Sequence, residues 1–196
     1  MTTLLETWLS EKHRQRDLSA ADFWHISQLS IYADRVVELI DGEIIEMPSS
    51  MRASVLALRL GSIILTFVED RDLGHVTTAD GGYDINEHNV FAPDVGFISK
   101  TRLPELPPDG FSPVPPDLAV EIVSPSDLKN RKDRIEKKLE RYLDAGVPLI
   151  WYFYEDRKEV EVHRPRYPVQ TLTVDDVLDG GEVLPGFSLL LKKVFR

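Results

Sequence analysis

The stretch that decides the fold reads Leu118-Ala119-Val120-Glu121-Ile122-Val123, in which five of six residues are apolar. A short apolar run closed by Ser124-Pro125 is typical of a strand whose two faces are both covered. Leu149–Tyr154 is a second such run, and a helical segment that ends at Gly146 lies between the two. Strand, helix and strand in this order predict a crossover unit with two parallel strands, and therefore an α/β fold with a mixed central sheet.

Hairpins and a further helix are predicted around this unit. Asp41-Gly42 separates two β-favourable segments within residues 35–47, which predicts a tight two-residue turn. An amphipathic helix is predicted where apolar residues recur at three- and four-residue intervals between Leu56 and Phe67. Residues 104–116 hold six of the thirteen prolines and predict a long loop. Other strands are predicted over residues 75–78, 83–85, 90–98 and 160–163, and the last 30 residues are expected to close an edge of the sheet.

Composition limits the classes of protein to which the chain can belong. Its 196 residues carry a formal net charge of −10, which excludes a uniformly cationic nucleic-acid coat. The absence of cysteine excludes disulfides and thiolate chemistry. The longest apolar run has six residues, whereas a membrane span needs about 20. We expect a cytoplasmic protein without a membrane segment, with a helical extension over residues 1–21 and one domain over residues 22–196.

Two acids occupy positions where acids are unusual. Glu121 lies inside an apolar strand, and Asp94 follows Pro93 at the start of another segment with little polar content. A buried carboxylate is costly unless a cation or hydrogen bonds compensate it. The two strands are expected to be neighbours. A buried salt bridge for Glu121, and a cap or turn at the strand start for Asp94, are the structural alternatives to a functional pair.

A lysine on the crossover helix is expected to reach the same place. Over residues 126–145, at about 100° per residue with Ile135 at zero, the apolar stripe centres near about 10°. Lys138 falls near about −60° on that wheel, at the flank of the stripe, whereas Lys137 points away. Two carboxylates and an ammonium recur in phosphodiester hydrolysis, in which the acids bind a divalent ion and the lysine holds or activates the attacking water. A salt bridge without chemistry is the alternative for Lys138.

The helix also concentrates positive charge. Residues 129–141 hold seven basic and three acidic side chains in a chain that is acidic as a whole. Local contacts to phosphate are compatible with this density, and so is an ordinary solvated helix face.

Several stretches together resemble the Uma-type family of restriction-endonuclease-like proteins, within the PD-(D/E)XK nuclease superfamily. The similar stretches are residues 38–43 (Glu-Leu-Ile-Asp-Gly-Glu), 93–95 (Pro-Asp-Val), 116–126 (Pro-Asp-Leu-Ala-Val-Glu-Ile-Val-Ser-Pro-Ser), 138–139 with Tyr142, 146–151 and 184–186 (Leu-Pro-Gly). Their order and spacing are more specific than any single motif, and they span about residues 22 to 196.

The resemblance implies a restriction-endonuclease-like core in which Asp94, Glu121 and the main-chain carbonyl of Ile122 hold Mg²⁺ or Mn²⁺. In the superfamily motif a lysine stands two residues after the acid, where this chain has Val123. The resemblance implies a lysine that has migrated to the following helix, which matches Lys138. Glu38 is similar to an additional acid that positions metal or water. Relatives often carry a histidine at the start of the helix after the hairpin, where this chain reads Ser50-Met51-Arg52-Ala53.

The sequence therefore predicts a Mg²⁺-dependent endonuclease that acts on DNA, with Asp94, Glu121, Lys138 and Glu38 as its catalytic residues. Arg131 is expected to contact a phosphate of the nucleic acid. Tyr142, one turn after Lys138, is expected to pack beside or hydrogen-bond the site and to contact the nucleic acid. A homodimer or higher homo-oligomer is expected, because an acidic monomer repels DNA at long range. The main alternative is a catalytically inactive module of the same fold that binds nucleic acid or protein. Hydrolysis of a small phosphate compound is less favoured, because no G-x-x-x-x-G-K-[ST] loop is present.

Overall fold

The structure, a computed structural model, describes residues 17–32, 35–47 and 49–195. Within these residues the strands are β1 (Val37–Ile40), β2 (Glu43–Glu46), β3 (Gly74–Thr78), β4 (Tyr83–Asn86), β5 (Asn89–Phe91), β6 (Val95–Ser99), β7 (Leu118–Val123), β8 (Leu149–Tyr154), β9 (Glu159–His163), β10 (Gln170–Leu172), β11 (Val177–Asp179) and β12 (Ser188–Leu190). The helices are α1 (Ala20–Ser27), α2 (Met51–Glu69), α3 (Pro125–Asn130) and α4 (Lys132–Asp144), with 3₁₀ turns at Ser30–Tyr32 and Leu191–Lys193. Most of the helical extension expected over residues 1–21 lies outside the described residues.

The larger sheet carries the predicted crossover. Its strand order is β10-β9-β8-β7-β6-β3, in which β7 and β8 are parallel and the other pairs antiparallel. Every residue of β7 and β8 is buried, because α2 covers one face of the sheet and α4 covers the other. The expected mixed sheet is confirmed, and β10 closes one edge as predicted.

The smaller sheet, ordered β2-β1-β5-β4, carries the predicted hairpin. Asp41 and Gly42 form the turn between β1 and β2 with φ of 48° and 75°, as a tight hairpin requires. A Cβ on Gly42 would lie 2.7 Å from Cα of Asp17, so the turn also needs glycine for its close packing. The hairpin thereby fixes β1, on which Glu38 is buried.

Two predicted elements are interrupted. The strand expected over residues 90–98 is two strands in different sheets, β5 and β6. Pro93 has no N–H to continue a ladder, and the N–H of Ala92 binds the side chain of Glu38 instead of a strand. The helix expected over residues 126–145 is also two, because Arg131 leaves helical geometry with φ −141° and ψ 20°. The chain therefore turns between α3 and α4, immediately before the helix that carries Lys138.

Among the described residues, α2 is long and apolar enough to span a membrane by length and composition alone, with a mean hydropathy of 1.6. Its buried face packs Leu56, Leu60 and Ile64 into the core beneath the larger sheet. Its other face exposes Met51, Val55, Leu58 and Leu65.

Candidate active site

A small pocket opens beside the C-terminal end of β7, where β6 no longer pairs with it. The pairing of β6 with β7 covers Leu118 to Val120, so the last three residues of β7 have no backbone partner on that side. The space has a volume of about 110 Å³, which is enough for an ion and a few waters. Its walls include Asp94, Glu121, Ile122 and Lys138.

Asp94 lies across the strand pair from Glu121. Val95 pairs with Val120, and the same antiparallel register continued by one residue places Asp94 opposite Glu121. Asp94 Oδ2 accepts the N–H of Ile122 at 2.7 Å and so replaces the missing strand partner. The predicted neighbourhood of the two acids is present, and it arises from the register of β6 and β7.

Lys138 lies between two buried carboxylates. Its ammonium is 2.7 Å from Glu38 Oε1 and 2.8 Å from Glu121 Oε1, and the lysine is only 4% exposed. Glu38 Oε1 also accepts the N–H of Ala92 at 2.7 Å. Strand β1, strand β7 and helix α4 therefore meet at one ammonium group.

The helical wheel placed Lys138 at the flank of the buried face, and that placement is wrong in detail. Lys138 and Tyr142 are the buried residues of α4, whereas Ile135 and Leu139 are half-buried. The face turned towards the sheet therefore centres on the lysine. The wheel weighted apolar residues only, but here the buried surface opposite the helix carries two carboxylates, which attract the cation.

Tyr142 supports Glu121 from the same helix. Its hydroxyl donates to Glu121 Oε1 at 2.8 Å, and the side chain is fully buried. Burial and the nearby Glu121 raise the pKa of this phenol well above its usual value, so it remains a donor. Tyr142 therefore holds Glu121 in place. Because its side chain is fully buried, it cannot make the direct contact with nucleic acid that was expected.

The charge states follow from burial and from these contacts. Burial by itself would lower the pKa of Lys138, but Glu121 and Glu38 together raise it above its usual value. Burial, followed by the nearby Glu121, raises the pKa of Asp94 to about 7. Burial also raises the pKa of Glu38, whereas the nearby Lys138 acts to lower it. Lys138 is thus a permanent cation at neutral pH, and it acts as a donor, not as a proton acceptor.

The donor set fits a divalent ion of the Mg²⁺ type. Within the described residues, Glu121 Oε2 and Asp94 Oδ1 carry no hydrogen bond, so each acid keeps one oxygen for a ligand. The N–H and C=O of one strand residue point to the same side, and the N–H of Ile122 points to Asp94. Mg²⁺ is usually held by one or two carboxylates together with waters and substrate phosphates. No group of three or more His, Cys, Asp or Glu side chains suited to a metal occurs in the described part of the chain.

The remaining predicted residues have different surroundings. Arg131 lines the pocket but forms an ion pair with Asp127 at 2.7 Å. Ser50, in the Ser50–Ala53 segment noted in the sequence, caps α2 by accepting a hydrogen bond from the N–H of Ala53, and both residues line the pocket. Arg134, which the sequence analysis missed, also lines the pocket. It precedes Lys138 by four residues, and this helical spacing was the available signal.

The pKa of Asp94 predicts a pH-dependent cost of folding in metal-free protein. Unfolded aspartate ionises near pH 4, and the folded side chain ionises near pH 7. Stability is therefore lost as pH rises from 4 to 7, because the unfolded state releases its proton first. Asp94→Asn still accepts the bond from Ile122 and removes this cost. We expect it to raise the free energy of unfolding by roughly 2–4 kcal/mol at pH 8 and by almost nothing at pH 4.

Chemical denaturation in a chelator at both pH values measures this effect. Asp109→Asn, on the exposed loop, removes the same charge and keeps the acceptor for Gly110, so it is the matched control. A difference between Asp94→Asn and the unaltered protein that is the same at pH 4 and pH 8 would contradict the assignment.

Comparison with known proteins agrees with the fold. The model of the Uma2 family, described as "Putative restriction endonuclease", matches residues 22–192. A similar solved structure is that of "a putative nuclease belonging to DUF820 from Anabaena variabilis ATCC 29413", with a TM-score of 0.75 and 19% identity over 91% of this chain and 97% of that chain. No curated protein matches the chain. The structural match shows a shared fold, and the family match shows that the chain belongs to the Uma2 family of restriction-endonuclease-like proteins.

Proposed function

We propose that the protein is a Mg²⁺-dependent endonuclease that hydrolyses phosphodiester bonds of DNA, with Mn²⁺ as an alternative ion. The observation that carries the proposal is the pair of carboxylate oxygens, Asp94 Oδ1 and Glu121 Oε2, left without hydrogen bonds beside a buried ammonium. Family membership supports nuclease-like chemistry. Lys138 is shared by Glu38 and Glu121, whereas Asp94 forms no ion pair within the described residues, so its carboxylate is available to a cation.

Asp94, Glu121 and the carbonyl of Ile122 would hold the ion. A divalent ion bound there supplies Lewis-acid withdrawal of charge from the phosphoryl group. A proton and the metal ion compete for Asp94 near neutral pH. Metal binding should therefore become stronger as pH rises and this carboxyl ionises.

Lys138 would orient the attacking water or a phosphoryl oxygen. Its ammonium has three N–H groups, of which Glu38 and Glu121 accept two, and Lys138 lines the pocket. Because its pKa is raised, Lys138 donates and does not remove a proton. Glu38 acts through Lys138 and is a positioning residue, while Tyr142 positions Glu121 in the same way.

Glu121→Gln tests the proposal. The amide keeps the size of the side chain but weakens a metal ligand, so we expect Mg²⁺- or Mn²⁺-dependent cleavage of plasmid DNA to fall by about 100-fold or more. Glu182→Gln, at an exposed position between β11 and β12, is the matched control and should leave cleavage unchanged. Thermal melting establishes that both variants fold.

Two results would contradict the proposal. Cleavage by Glu121→Gln at the unaltered rate would remove Glu121 from the site. Calorimetry that detects no Mg²⁺ or Mn²⁺ binding, together with no cleavage, would favour the inactive binding module.

We also propose that the protein functions as a homodimer formed through the exposed face of α2. Met51, Val55, Leu58 and Leu65 form an apolar stripe along one side of this helix. Arg52 near one end and Glu69 at the other are exposed and form no ion pair within the described residues. An antiparallel copy of α2 would cover the stripe and place each Arg52 beside the partner's acidic end, as a two-fold interface requires. Because the start of α2 lines the pocket, this arrangement would bring two active sites into one assembly.

Leu58→Glu tests this interface. Leu58 is 73% exposed, so the charge should abolish the dimer without disturbing the core, as measured by light scattering. Leu106→Glu, at an exposed apolar residue of the proline-rich loop, should leave the dimer intact. A monomeric unaltered protein at assay concentration would refute the proposal, as would a Leu58→Glu dimer. Flotation with lipid vesicles that depends on Leu58 would assign the stripe to a membrane instead.

A further inference from the structure

A second, larger depression adjoins the pocket. It has a volume of about 550 Å³ and lies between the β1–β2 hairpin and the junction of α3 with α4. We call it the basic groove. Its lining carries five cations and three acids, which are Lys129, Arg131, Lys132, Arg134 and Lys137 against Asp41, Glu43 and Asp133. Arg131 and Arg134 line both the groove and the pocket, so the two spaces are adjacent.

The charge of the groove differs from that of the whole chain. Three of its cations are engaged by acids: Arg131 by Asp127 at 2.7 Å, Lys132 by Glu136 at 3.4 Å and Lys137 by Asp41 at 3.4 Å. Lys129 and Arg134 form no ion pair with any residue in the described ranges. The groove thus offers two uncommitted cations next to the pocket in a protein whose net charge is −10.

The break at Arg131 and the docking of the hairpin give the groove its shape. Lys129 is on α3 and Arg134 on α4, and the turn between the helices brings both to the groove wall. Asp41, at the hairpin tip, accepts a hydrogen bond from Arg141 at 2.9 Å and forms an ion pair with Lys137 at 3.4 Å. These contacts attach the hairpin to α4. The hydrogen bond from Arg141 is the main cause that lowers the pKa of Asp41, so this attachment persists at neutral pH.

We propose that the basic groove binds the sugar-phosphate backbone of the DNA strand on one side of the scissile phosphate. Arg134, one helical turn before Lys138, contacts the phosphate nearest the pocket, and Lys129 contacts one farther along the strand. This inference rests on the proposed function, since it identifies the scissile phosphate with the pocket. It assigns the principal backbone contact to Arg134, because Arg131 is already held by Asp127.

Metal-free binding of a fluorescent DNA duplex, measured by anisotropy across a series of salt concentrations in a chelator, tests the groove separately from catalysis. Each lost phosphate contact lowers the slope of log K against log salt by about 0.9. The double variant Lys129→Ala/Arg134→Ala should therefore lower the slope by about 2 and weaken binding by about tenfold or more at low salt. Lys192→Ala/Lys193→Ala removes the same charge from exposed positions away from the groove and should change neither quantity.

Arg134→Lys keeps the charge and should retain most of the slope when Lys129 is present. An unchanged slope in the Lys129→Ala/Arg134→Ala variant, an equal loss in the Lys192→Ala/Lys193→Ala control, or no DNA binding by the unaltered protein would overturn the groove assignment. If the Lys129→Ala/Arg134→Ala variant loses DNA binding and the unaltered protein does not cleave DNA, the groove assignment is supported and the proposed hydrolysis is refuted.

Discussion

The structure of the site depends on one buried ammonium. Lys138 joins Glu38 of the hairpin sheet to Glu121 of the central sheet, and all three side chains are withdrawn from water. Removing one partner of such a group leaves an uncompensated buried charge, which typically costs about 3–5 kcal/mol. These contacts hold the two sheets and helix α4 together, and they also place a positive charge at the wall of the pocket.

The pocket exists because strand pairing stops early. Strand β6 begins only at Val95, after Pro93, so the end of β7 has no backbone partner on the β6 side, and Asp94 supplies a carboxylate in its place. The same interruption directs the N–H of Ala92 to Glu38. The interruption between β5 and β6 therefore leaves the N–H groups of Ala92 and Ile122 without strand partners. These N–H groups bind the side chains of Glu38 and Asp94 at the point where a cation would be held.

Much of this arrangement could be predicted from the sequence. Two short apolar runs separated by a helix predict the parallel pair β7–β8, and an acid in one run marks the site, because burial of a carboxylate demands compensation. Helical spacing also led to Lys138. The burial of Glu38 was not predictable in this way, since it depends on contacts with Lys138 and Ala92, which are distant in the sequence. The turn at Arg131 and the groove beside it were not predictable, because the local helix propensity of residues 126–145 contains no sign of a break.

The central claim is that Asp94, Glu121 and Ile122 together hold a divalent ion. The most direct measurement is anomalous diffraction from crystals soaked in Mn²⁺. The account predicts anomalous density between Asp94 and Glu121, with Lys138 still bound to Glu38. Density elsewhere, or none at a Mn²⁺ concentration that supports DNA cleavage, would contradict it.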